Sequence, residues 1–125
     1  MTTFVVPTDS VHTSAALCDY LVDRVGGDDT VHAVYAQDDA SASDANRDGD
    51  DALNAVYARL GAVATVETHR VDRGPTLAEG IRAAAADLGV DEIVLGAGGP
   101  PEGVGSVTGA VIANADRPVV VVPGA

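Results

Sequence analysis

The residues best suited to chemistry gather near the end of the chain, in Leu95-Gly-Ala-Gly-Gly-Pro-Pro-Glu-Gly-Val-Gly-Ser-Val-Thr-Gly109. The apolar run Asp91-Glu-Ile-Val-Leu95 empties into this segment, and a helical stretch opens at Gly105-Ser106. Strand, glycine turn and helix start together hold anions, because the first N–H groups of a helix have no partner inside it. Gly98, Gly99 and Gly103 allow a ligand to approach the backbone closely. Other residues oppose this reading. Pro100 and Pro101 have no N–H to donate, Glu102 adds negative charge, and no Arg or Lys lies between 83 and 116. Mg²⁺ or high salt would screen that repulsion. The other reading of the same residues is a loop kept only for tight strand–helix geometry.

Other candidate groups are weaker. Cys18 and Arg24 have the Cys-x5-Arg spacing of a phosphatase loop, but continuous helical periodicity makes Cys18 a small core residue. Asp44, Asn46, Asp48 and Gly49 match the opening of a calcium loop, yet Ala55 stands where the closing Glu belongs. His12, His32 and His69 fall in separate segments without ligand spacing, so no metal site is expected, and His32 reads as a strand histidine. Asp9 as a phosphoacceptor would want a lysine, and the chain has none. No Ser-His-Asp order or acid/base pair stands out; Thr8, Ser10, Ser14 and Ser106 read as turn and N-cap residues.

These groups must be held by elements that the apolar pattern outlines. Strands are expected at 3–7, 30–36, 62–71, 91–95 and 118–122. Helices are expected at 13–25, 51–60, 76–88 and 106–115, with Gly26-Gly27 ending the first. Thr76 is the expected N-cap of the third, with Glu79 as its capping-box partner and Gly89 as its stop. Residues 37–51, almost free of large apolar side chains, read as a long solvated loop, with Asp48, Asp50 or Asp51 capping the next helix. Continuously apolar strands alternating with helices imply a doubly wound parallel sheet with right-handed crossovers, in one domain spanning 1–125. Ligands of such sheets bind beyond the strand C-terminal ends, where strand order reverses. If the first and fourth strands are neighbours, Pro7-Thr8-Asp9 and Gly96-Ala97-Gly98-Gly99 share one crevice.

Three segments, in this order and spacing, resemble the universal stress protein family over essentially the whole chain. They are Phe4-Val-Val-Pro-Thr-Asp-Ser10, Gly89-Val-Asp-Glu-Ile-Val-Leu-Gly96, and Gly105-Ser106-Val107 followed by Pro118-Val-Val-Val-Val122. The resemblance implies a flavodoxin-like five-stranded sheet of order 3-2-1-4-5 and a homodimer, often through the final strands, here Pro118–Val122. Members that bind ATP carry Gly-x2-Gly-x9-Gly-Ser/Thr. Here Gly96-x2-Gly99 and Gly105-Ser106 are present, but only the five residues 100–104 separate them. By resemblance, ATP with Mg²⁺ would place adenine and ribose by Pro7, Thr8, Asp9 and Ala33. Its phosphates would lie over Gly96, Gly99, Gly105, Ser106 and Val107. The expected function is a non-catalytic stress-response module with a shortened loop; the alternative is an adenine-nucleotide binder with slow Mg²⁺-dependent ATPase activity.

Composition bounds the partners. Nineteen acids against seven bases give a formal charge of −12, and all seven bases are Arg. Acids spread along the chain in this way fit the cytoplasm of an extreme halophile, where salt screens self-repulsion. Nucleic acid is excluded as a partner by the lack of a basic cluster. No apolar run approaches the roughly 20 residues of a membrane helix, and no secretory leader is evident. One cysteine rules out an internal disulfide and fits a reducing cytoplasm.

Overall fold

A computed structural model of the chain describes residues 1–37, 43–98 and 104–125. Elements alternate throughout: β1 (Thr3–Pro7), α1 (Val11–Leu21), β2 (Thr30–Gln37), α2 (Ser43–Leu60), β3 (Thr65–Asp72), α3 (Leu77–Leu88), β4 (Glu92–Gly96), α4 (Ser106–Asn114) and β5 (Val119–Val122). The strands form one parallel sheet in the order β3-β2-β1-β4-β5. This is the doubly wound, flavodoxin-like arrangement expected from the apolar strands and the resemblance. Strand order reverses between β1 and β4, so the turns after those two strands lie side by side.

Period-two alternation divides the core between the two sheet faces. Phe4, Val6, Val31, Ala33 and Tyr35 pack with Leu17 and Leu21 of α1 and Leu53, Val56 and Leu60 of α2. Val5, Val34, Ile93 and Leu95 pack with Ala78, Ile81 and Ala85 of α3 and Val111 of α4. Cys18 belongs to the first cluster, as its helical spacing implied, and burial pushes its thiol pKa up to about 11.

Capping fixes where helices begin. The Ser10 hydroxyl accepts from the Thr13 N–H at 3.1 Å, so α1 starts at Val11, two residues earlier than expected. It also ends early, at Leu21, where the N–H groups of Arg24 and Val25 both turn back to the Leu21 carbonyl. Thr76 caps α3 through the Glu79 N–H at 3.2 Å, and Gly89 ends it at φ 64°, both as expected. Past that end, the Arg117 guanidinium donates to the Ala85 and Val90 carbonyls at 2.8 and 2.9 Å. A cation at a helix C-terminus satisfies orphan carbonyls and opposes the negative end of the dipole.

The expected loop at 37–51 is corrected over most of its length. Helix α2 starts at Ser43, so Asp48, Asp50 and Asp51 lie inside it rather than at its cap. Residues 38–42 fall outside the described part of the chain. The polar segment can be helical because its contact with the sheet is made by Gly49, which is buried flat against the Tyr35 ring. Arg70 Nε also donates to Asp50 Oδ1 at 2.8 Å, tying the helix to β3. A helix sets residue 46 on the side opposite 44 and 48, and a helix is not the calcium-binding turn, so the calcium-loop reading fails as well.

Candidate functional site

Backbone bonds set the two switch-point turns. After β1, the Thr8 N–H donates to the Val34 carbonyl at 2.9 Å, extending the β1–β2 ladder by one residue. The Thr8 hydroxyl lies 2.8 Å from the Ser14 hydroxyl and 3.1 Å from the Ser10 carbonyl, while Ser14 Oγ donates to the Ala52 carbonyl at 2.7 Å. Ser14 is therefore not a cap. It is a wholly buried polar link between α1, α2 and the β1 turn.

After β4, the chain is bound back on itself. Ala97 N–H donates to Val122, Gly105 N–H donates to Ala97, and Gly98 bridges Val104. Gly98 has φ 67°, which favours glycine. Its N–H donates to the Ala125 carbonyl oxygen at 3.0 Å. Gly96 has no room for a side chain, since a Cβ there would come 2.5 Å from Ala125. Helix α4 begins with Gly105 as N-cap and no side-chain cap, so Ser106 is its first helical residue rather than its cap. Thr108 Oγ1 ties this first turn to the Gly96 carbonyl at 2.7 Å.

Between the two turns opens a crevice of about 440 Å³. Its walls are apolar where Val34, Leu77, Ile81 and Leu95 line it, and its mouth is polar with Thr13, Asp9, Asp48 and Arg73. Of the residues expected at the site, Pro7, Thr8, Asp9, Gly96 and Val107 line this crevice. Gly105 and Ser106 stand at the start of α4 beside Val107. Ala33 pairs with Val6 and is wholly buried in the α1–α2 core, so its successors Val34, Tyr35 and Ala36 form the crevice wall instead. Gly99 lies outside the described residues, as do Pro100, Pro101, Glu102 and Gly103.

Sequence reasoning missed Arg73, the cation at the crevice. The glycine segment holds no base, whereas this one follows β3, which is separated from β4 by β2 and β1. The available signal was positional: residues just past strand C-terminal ends converge in a doubly wound sheet. Asp48 was missed because it was assigned to a loop. Chemically, the crevice offers an apolar wall, the first-turn amides of a helix, which have no partner within that helix, and the Arg73 guanidinium. That combination suits a small organic molecule carrying an anionic group.

The family model described as the universal stress protein family matches residues 1–123. Among curated proteins, none matches the chain. Among solved structures, a universal stress protein from Archaeoglobus fulgidus has a TM-score of 0.76 at 22% identity, covering 98% of each chain. The Archaeoglobus fulgidus universal stress protein in complex with dAMP gives 0.70 at 20% identity, again covering 98% of each. A universal stress protein family protein from Arabidopsis thaliana with AMP bound gives 0.67 at 13% identity, covering 98% of this chain and 92% of that one. At these identities the structural likeness speaks for the fold.

Proposed function

The chain belongs to the universal stress protein family, and from that premise we propose that it is a non-catalytic, adenine-nucleotide-responsive module acting as a homodimer. The supporting observation is the crevice between the β1 and β4 turns, with its apolar slot ending at the first turn of α4. An adenine ring would lie against Val34, Leu77 and Ile81. One phosphate would face the Ser106 and Val107 amides, with Arg73 opposite. The Gly98 N–H already serves Ala125, so fewer backbone donors remain for a phosphate chain. This favours a nucleoside monophosphate over ATP. The relatives with dAMP and AMP bound are consistent with that preference.

The residues also bear on Mg²⁺. Asp9 and Asp48 are exposed carboxylates lining the same crevice, and carboxylate oxygens are the ligands Mg²⁺ takes. They support a second reading, in which MgATP binds and is hydrolysed slowly. Calorimetric titration in high KCl separates the readings. We expect one-to-one binding of AMP with weaker heat from MgATP. Tighter MgATP binding with phosphate release would favour the second reading, and no heat from either nucleotide would overturn both.

Dimerisation is argued from the two sheet edges. The β3 edge carries Glu67, Arg70 and Asp72, charges that discourage strand addition. The β5 edge is four consecutive valines, three of them only half-buried. Pairing of β5 with its mate would remove that exposed ladder. Light scattering at multimolar KCl is expected to report a dimer; a monomer there would contradict this part of the proposal.

A further inference from the structure

Two histidines separated by 37 residues of chain meet side by side in the sheet. The parallel register of β2 and β3 sets His32 opposite Glu67 and Val34 opposite His69. Alternation then brings His32, Glu67 and His69 to one sheet face, the face on which Val34 packs with α3. His32 Nδ1 lies 3.0 Å from His69 Nε2, and the ring centroids are 5.1 Å apart. Ligand atoms of all three side chains fall within 4.8 Å of one another. Exposure is graded: His32 is buried, His69 half-buried and Glu67 open to solvent.

We infer that His32, Glu67 and His69 form a binding site for a divalent transition ion, Zn²⁺ foremost. Two imidazoles on one tetrahedral ion, each about 2.0–2.1 Å from it, hold their nitrogens about 3.3–3.4 Å apart. The facing nitrogens here need to separate by only about 0.3–0.4 Å on that basis. Both lone pairs are presented when His32 carries its proton on Nε2 and His69 carries its own on Nδ1. Two imidazoles with one carboxylate select borderline ions over Mg²⁺ and Ca²⁺. Three protein ligands leave a fourth position to water, at the exposed Glu67 side of an edge strand. Burial holds the His32 pKa below its ordinary value, against a pull upward from Glu67 and with His69 adding to the lowering. The site is distinct from the crevice, whose proposed phosphate donors lie on α4. Bound metal would clip the β3 edge to β2 and stabilise the folded chain by mass action.

The test uses the full chain without nucleotide, titrated with Co²⁺ in high KCl. Excess Mg²⁺ is added to occupy the acidic side chains outside the site. Wild type should bind one Co²⁺ with the intense visible bands of a four-coordinate site, and Zn²⁺ should displace it. His69→Gln, at a half-buried edge position, should weaken binding by at least ~10-fold, with far-UV circular dichroism unchanged. Glu67→Gln should weaken it less, and His12→Gln should leave it unaltered. A wild-type spectrum that stays that of hydrated Co²⁺ overturns the inference. So does a folded His69→Gln protein that binds as tightly as wild type.

Discussion

The Thr8–Ser14–Ala52 link shows how residue-scale chemistry positions the crevice. Two hydroxyl protons serve three close contacts, among groups that are buried. Replacing Ser14 by Ala removes the hydroxyl's contacts with Thr8 and with the Ala52 carbonyl, although that carbonyl, inside α2, keeps the helix's own N–H bond. A hydrogen bond lost in this way costs about 0.5–1.5 kcal/mol. Urea denaturation of Ser14→Ala should show a loss of that size with an unchanged m-value, and a loss near zero would contradict it. Cys18, Ser10 and Thr76 were legible in the sequence because their roles depend on neighbours within four residues. The His32–Glu67–His69 group was not, because it exists only once the β2–β3 register is set. Arg73 was hidden for a related reason: convergence at the crevice is a property of the sheet.

Elements carry a different lesson. Four of the five strands followed directly from apolar runs; β3 begins at Thr65 rather than 62 and is largely polar and exposed, and α2 was half hidden because its first turns offer no large apolar side chain. Gly49 is the residue that makes those turns possible, being buried against Tyr35. Two effects compete at Gly49→Ala. Helix propensity favours Ala by about 1 kcal/mol, whereas forcing a methyl into the Tyr35 ring position costs about 1–3 kcal/mol. Overpacking should win, so the variant is expected to melt lower than wild type in a thermal scan. A higher melting temperature would mean that the ring moves aside freely. The glycine segment after β4 lies at the opposite extreme. The end of β4 at Gly96 and the start of α4 after Gly105 follow from pattern, but the engagement of Gly98 with Ala125 joins residues 27 apart in sequence.

At the scale of the whole molecule, charge is the dominant feature. A formal charge of −12 on 125 residues means the compact state repels itself. Surface pairs do little to offset it. Arg70–Asp50 and Arg59–Asp19 are both well exposed, and such pairs contribute roughly 0–1 kcal/mol. The screening length falls from about 10 Å at 0.1 M salt to about 3 Å at 1 M. Melting temperature should therefore rise steadily as KCl is raised across that range, and a flat or falling curve would contradict the electrostatic reading. Among the described residues, no helix is long and apolar enough to cross a membrane.

The central claim is that an adenine nucleotide enters the crevice with its phosphate on the first turn of α4. Heteronuclear NMR of the chain titrated with AMP in high KCl tests this residue by residue. Saturable shifts are predicted at the Ser106 and Val107 amides, together with Thr8, Asp9 and Val34. Unmoved amides at Ser106 and Val107, or shifts confined to residues away from the crevice, would contradict it.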